Sequence, residues 1–120
     1  MAGEITQQIS LQVTKNGATA TMQTSVRVDM TGNGLNNSTQ SIATSATLID
    51  LTGVTGAPGN FAIRNLDATN YIEIGGDSGL TVFKIKLSPG QSCMFQPSSG
   101  TIYAKANTAA VLIQKLAIDA

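Results

Sequence analysis

Residues 61–90 read FAIRNLDATNYIEIGGDSGLTVFKIKLSPG. Apolar residues in this stretch recur at every second position and are interrupted by clusters of turn-forming residues. Phe61 and Ile63 share one parity, Ile72 and Ile74 another, and Phe83, Ile85 and Leu87 alternate with Thr81's polar successors Lys84 and Lys86. Side chains of a strand point alternately to opposite faces, so a period of two marks a strand buried on one side, whereas a helix needs a period near 3.6. Asp67-Ala68-Thr69-Asn70, Gly75-Gly76-Asp77-Ser78-Gly79 and Ser88-Pro89-Gly90 are the turns between these strands. The spacing predicts strands over 61–66, 71–74 and 80–87, with the second pairing back on the first.

The same punctuation extends in both directions. Gln91 to Gln96 sets Cys93 and Phe95 inward. Residues 100–105 and 110–118 form the last strands, the latter favoured over a helix by β-branched Val111 and Ile113. Upstream, Gly53 to Asn60 carries three glycines and Pro58 and reads as a connection; Ser41 to Leu51 reads as a strand, and Thr31 to Asn37 as a loop. At the N-terminal end, Lys15-Asn16-Gly17 separates two long alternating runs. Ile9, Leu11 and Val13 share one parity in the first, and Ala20, Met22, Val26, Val28 and Met30 share one in the second. Asn and Gly accept positive φ, so the pair reads as a long hairpin. Eight or nine short strands with turns every 8–12 residues predict an all-β antiparallel sandwich or barrel. The organisation is an N-terminal hairpin and strand region over 1–52 and a sandwich core over 53–120, in one continuous domain. The expected core is Phe61, Ile63, Ile72, Ile74, Phe83, Ile85, Leu87, Cys93 and Phe95.

Charge narrows the function. Seven basic and seven acidic residues are scattered along 120 positions, and the net charge is zero. Nucleic-acid binding needs clustered cations to neutralise phosphates, so nucleic acid is not an expected partner. A membrane is not expected either, because no apolar run reaches spanning length and no polybasic stretch exists. Met1-Ala2-Gly3-Glu4-Ile5 lacks the basic and apolar regions of a signal peptide, which predicts synthesis in the cytoplasm. A neutral surface rich in Thr, Ser and Ala suits burial against protein.

Catalytic chemistry finds little to use. The chain has no His, which removes the usual general base and the commonest metal ligand. With the single Cys93 this leaves no zinc set, no disulfide and no nucleophile–His dyad. Glu73 and Asp77 could in principle form a carboxylate pair, but both read as exposed residues of a hairpin edge. The loop Gly75–Gly79 lacks the Lys and following helix of a phosphate cradle and the alternating acids of a calcium loop. Cys93 reads as a core residue, and Tyr71 with Tyr103 reads as packing before sugar stacking. No enzyme activity, cofactor or metal is expected.

Three segments resemble small structural proteins of tailed bacteriophages: Asn65-Leu66-Asp67-Ala68-Thr69-Asn70-Tyr71-Ile72-Glu73-Ile74-Gly75, Leu87-Ser88-Pro89-Gly90-Gln91, and Ile102 to Ala110. The resemblance spans roughly residues 47–118; the N-terminal half is similar only in style, as a Thr-rich hairpin. It implies a jelly-roll-like β-sandwich in a virion, of the capsid decoration or cement type. Partners would then be further copies of the chain, as a homo-oligomer and most simply a trimer, together with the major capsid protein or other virion proteins. A tail, neck or fibre-associated position is the alternative, and a carbohydrate-binding module a more distant one. Leu-x-Pro-Gly before an apolar strand also resembles cupins, but their metal-binding histidines are missing here. The hairpin residues Ile9, Leu11, Val13, Met22, Val26 and Val28 are the expected protein interface.

Overall fold

The computed structural model describes residues 3–119, so Met1, Ala2 and Ala120 lie outside the described part of the chain. All regular structure among the described residues is β-strand, and every strand pair is antiparallel. The chain divides into two compact units, one up to Thr31 and one from Gly32. The division falls earlier than the 52/53 boundary read from the sequence, because residues 35–48 are paired into the sheets of the second unit.

The first unit is a ribbon of β1 (Ile5–Lys15) and β2 (Ala18–Val28). Pairing is continuous from Ile5↔Val28 to Lys15↔Ala18, leaving a two-residue turn. Asn16 and Gly17 both have positive φ, 52° and 81°. This is the combination of a type I′ turn, whose twist matches that of the strands it joins. At the open end, Arg27 donates to the Gly3 carbonyl, while Gly3 N–H donates to Asp29 and Met30 N–H to Glu4.

The second unit holds β3 (Leu35–Ile42), β4 (Thr47–Leu48), β5 (Asn60–Asn65), β6 (Ile72–Gly75), β7 (Ile85–Leu87), β8 (Ser92–Phe95), β9 (Tyr103–Ala106) and β10 (Val111–Ile118). They form two four-stranded sheets, ordered β3-β10-β5-β8 and β4-β9-β6-β7. The pairs are nested along the chain: β3 with β10, β4 with β9, β5 with β8 and β6 with β7. Two further pairs, β5 with β10 and β6 with β9, complete the sheets. Successive strands therefore alternate between the sheets, except that β6 and β7 share one, and β6 does not pair back on β5 as expected. Asn65 explains the crossing. Its side chain is fully buried, donates to the carbonyls of Asn70 and Leu87, and accepts from Asp67 N–H. These bonds turn the chain out of one sheet and into the other.

One apolar cluster draws on both sheets. Ile42, Phe61, Ile63, Val111, Ile113 and Ala117 come from the first, and Ile72, Ile74, Leu87, Ala104 and Ala106 from the second, with Ile49 and Ile102 beside them. Of the expected core, Phe61, Ile63, Ile72, Ile74 and Leu87 are buried, whereas Phe83, Ile85, Cys93 and Phe95 are half-buried at its margin. The strand expected over 80–87 is reduced to Ile85–Leu87. Asp77 accepts from Thr81 N–H, Thr81 Oγ1–H and Val82 N–H and holds residues 77–82 as a loop, with Leu80 at φ 54°. The loop expected over 31–37 yields to β3 from Leu35 onward, for reasons that lie in its polar inner face.

That face carries Asn36, Ser38 and Gln40. Asn36 donates to the Thr52 carbonyl, and Gln40 donates to the Leu48 carbonyl while accepting from Asp50 N–H. Residues 48–52 thus satisfy polar groups that read from sequence as loop chemistry. Lys115 of β10 lies opposite Ser38, only 2% exposed, and its ammonium donates to Ser38 Oγ at 2.9 Å. Burial lowers the Lys115 pKa, and nearby Asp50 partly offsets that effect.

At the start of the second unit, the Asp119 carboxylate accepts from Gly34 N–H at 2.7 Å and Thr55 N–H at 2.8 Å. It ties the entry of the chain, its C-terminal end and the 53–55 loop together. The backbones come so close there that a Cβ on Gly34 would fall 2.0 Å from the Gly53 carbonyl oxygen.

Candidate functional site

The six expected interface residues all fall on one face of the ribbon. The register puts Leu11 opposite Met22, Val13 opposite Ala20, Ile9 opposite Thr24, Val26 opposite Gln7 and Val28 opposite Ile5. Residues directly opposite in an antiparallel pair point to the same side, so these positions make one continuous stripe. The other face is polar throughout, from Thr6 and Arg27 at the base through Gln8, Ser10 and Gln12 to Thr14 and Thr19, whose hydroxyls meet at 3.2 Å. A two-stranded ribbon has no second layer of its own. Leu11 is accordingly 70% exposed and Met22 63%, with Ile9, Val13 and Val26 also exposed and Val28 half-buried.

A second apolar surface was not foreseen. On the outer face of the β3-β10-β5-β8 sheet, Leu116 stands opposite Asn37 and Ala62, and Ala62 opposite Met94. Leu112 lies further along β10 and Leu35 at the start of β3, with Leu66 just beyond β5; all three are exposed. Arg64 is the only charged residue at the strand positions facing out from this sheet. The cue lay in residues 111–118, where both parities are apolar, a pattern of a strand covered on two sides.

The outer face of the other sheet differs. Glu73 is flanked across the strands by Lys86 and Lys105, and Lys84 approaches it at 3.9 Å. Tyr71 lies under the Lys86 ammonium, 4.3 Å from ring centroid to nitrogen. Tyr103 is paired with Gly75 at the opposite end of β6, so the two tyrosines are not side by side as a stacking platform would need. Exposed ion pairs of this kind contribute little to stability and keep a surface hydrated.

The titratable groups serve the loops. Hydrogen bonds from Thr81 and Val82 hold the Asp77 carboxyl below the ordinary 3.8, those from Asn70 and Thr69 do so for Asp67, and those from Thr55 and Gly34 for Asp119. Asp50 is lowered mainly by the Thr52 hydroxyl. Asp77 is thus committed to its own loop and Glu73 to the lysine-rich face. Burial raises the Cys93 pKa, which suppresses its thiolate. Among the described residues no group of three or more His, Cys, Asp or Glu is arranged to hold a metal.

No protein-family model, curated protein or solved structure matches the chain.

Proposed function

We propose that this chain is a non-enzymatic structural protein of a tailed-bacteriophage virion, a capsid decoration or cement protein that bridges major capsid subunits. It would be made in the host cytoplasm and reside on the particle as a homo-oligomer. The observation that carries the reading is the ribbon, which leaves Ile9, Leu11, Val13, Met22 and Val26 exposed on one face. Contiguous exposed apolar surface on this scale marks a protein–protein contact. The polar opposite face keeps such an arm soluble until it docks.

The second unit fits the same reading as a jelly-roll β-sandwich. Its support is the strand order: eight strands nested as a long hairpin, rolled so that alternate pairs enter different sheets. Eight strands in two sheets is the jelly-roll plan, found in capsid, lectin and cupin-like proteins. Its inner faces are filled by apolar side chains, and its turns are held by Asn65, Asp67 and Asp77. The phage-like segment Asn65–Gly75 is in this light a crossing device between sheets. A protein that binds only the intact shell stabilises it by mass action, a few kcal/mol per site when in excess.

The test is to add purified protein to purified particles lacking it and to image and heat them. Regular density on the shell and release of DNA at a higher temperature are expected. Density confined to the tail or neck, or no binding at all, would overturn the capsid reading.

A further inference from the structure

Each four-stranded sheet of the second unit ends in two edge strands, β3 and β8 in one and β4 and β7 in the other. An open edge offers unpaired N–H and C=O groups to any further strand, and proteins commonly blunt it by shortness or charge. Three of these edges are blunted: β4 has two residues, β8 four, and β7 three with Lys86 among them. β3 has neither protection, since Leu35–Ile42 runs for eight residues without a charge, a proline or a glycine. Two bonds fix which of its backbone groups are free. Asp119 N–H donates to the Gly34 carbonyl, and Leu66 N–H donates to the Leu112 carbonyl. Bonded positions alternate along an antiparallel pair. Odd-numbered residues of β10 therefore bond to even-numbered residues of β3, and its even-numbered residues bond to β5. The N–H and C=O groups of Leu35, Asn37, Thr39 and Ser41 point away from the sheet. All four residues are exposed, and no described residue partners those backbone groups.

A free backbone edge takes an extended strand, and β3 is complementary to itself. Set antiparallel about a two-fold axis at Ser38, Leu35 meets Ser41, Asn37 meets Thr39, and Ser38 meets its own copy. The Leu35–Ser41 and Asn37–Thr39 pairs each exchange two hydrogen bonds, so every outward group of both edges is satisfied. The side chains match as well, with Asn37 beside Thr39 on the outer side and Asn36 beside Gln40 on the inner. Near a two-fold axis a charged residue stands close to its own copy, and like charges across strands repel. β3 carries none. Lys115, whose ammonium reaches Ser38, has Asp50 nearby, so their charges offset. We infer that two copies of the chain pair through β3 and join their sheets into one, ordered β8-β5-β10-β3-β3-β10-β5-β8. The outer surface that carries Leu116, Ala62 and Met94 then runs across both copies as a single face. This contact lies in the second unit and gives two copies, where the resemblance to phage proteins implies three.

The experiment is sedimentation of the full chain at micromolar concentration beside variants of Thr39, whose N–H lies on the free edge. The native chain should sediment as two copies, about 25 kDa against 12.4 kDa for one. Thr39→Pro removes an edge donor and spares the β10 ladder, because a strand tolerates proline where its N–H faces away from the neighbour. It should sediment as one copy. Thr39→Lys should do the same by charge, while Thr39→Val should leave two. Circular dichroism checks that each variant is folded. A native chain that is monomeric or trimeric overturns the inference, as does a dimer that survives Thr39→Pro and Thr39→Lys. Single cysteines in a Cys93→Ser chain test the register. Partners that are not hydrogen-bonded have Cα atoms about 4.5 Å apart, within disulfide reach, so Ser38→Cys should oxidise to a covalent dimer. Ser41→Cys lies about 20 Å from its own copy in this register and should not cross-link. Cross-linking at 41 and not at 38 also overturns the pairing. Shells play no part in these measurements, so failure of the β3 pairing and failure of the capsid reading are scored separately.

Discussion

Phe61 is fully buried in β5 and meets Phe95 edge-on, with ring centroids 5.3 Å apart. Phe95 in turn meets Phe83 at 5.9 Å, but Phe83 is half-buried, beside the loop that Asp77 organises. Phe61→Ala should therefore destabilise by about 3–5 kcal/mol, the range for a buried Phe. The sequence alone would assign that loss to Phe83, whereas Phe83→Ala should cost clearly less because part of its ring is already in water. Denaturant melts of both variants check the order; equal losses would place Phe83 in the core. Asp119 makes a pH prediction. Its carboxylate accepts from the amides of Gly34 and Thr55, and its folded pKa lies below the free value of 3.8. A carboxyl with a lowered folded pKa stabilises the fold above the unfolded value and loses that contribution as pH falls through the folded one. Asp67, Asp77 and Asp50 act in the same direction. Asp119→Asn should lower the melting temperature at pH 7 and flatten its decline between pH 4 and 2. An unchanged melting temperature at pH 7 would show that the clamp is dispensable.

Among the elements, β3 is where tertiary contacts override local composition. Leu35-Asn36-Asn37-Ser38-Thr39-Gln40 has the residues of a loop and no apolar alternation. It is a strand because β10 supplies its ladder and residues 48–52 satisfy its inward amides. The runs around Ile63, Ile72 and Leu87 could be read because each shows period-two alternation around core residues. The partner of each strand could not, since nested pairs such as Leu35↔Ile118 lie at opposite ends of the unit. The ribbon's apolar stripe was legible for the opposite reason: its pairing is local and its turn, Asn16-Gly17, fixes the register. The outer face of the first sheet was not, because Leu112 and Leu116 look like core when read beside Val111 and Ile113. Lys115 was also unforeseen, a cation at an inward position. Its ammonium donates to the neutral Ser38 hydroxyl, and Asp50 offsets the cost of its burial only in part. Lys115→Met keeps the length and apolar stem of the side chain, and Ser38 retains its bond to Asn36. The variant should be as stable as the native chain or more so. A loss above about 1.5 kcal/mol, the upper range for a net hydrogen bond, would mean that the ammonium stabilises the fold.

At the scale of the whole molecule, the two units should differ sharply in autonomy. All thirteen residues of the apolar cluster lie between Ile42 and Ala117, and the Asp119 clamp closes on Gly34 and Thr55. Both four-stranded sheets are complete from Leu35 onward. A fragment beginning at Gly32 therefore keeps every one of these interactions. The ribbon keeps its cross-strand bonds when cut free but has no layer beneath its apolar stripe, and a lone two-stranded hairpin is marginal in water. Stability should accordingly be unevenly distributed, with the ribbon opening far below the global unfolding free energy when it has no partner. The expected outcome is that residues 32–120 melt cooperatively within about 4 °C of the full-length chain, a shift worth at most roughly 1 kcal/mol for a domain of this size. Residues 1–31 alone should show the circular dichroism of a disordered peptide. Calorimetry of the fragment beside the full-length chain makes the comparison. If the fragment fails to fold, or melts many degrees lower, the ribbon contributes to the core and the chain is one cooperative body. If it folds as expected, the strands from Leu35 onward carry the stability and the ribbon adds little to it.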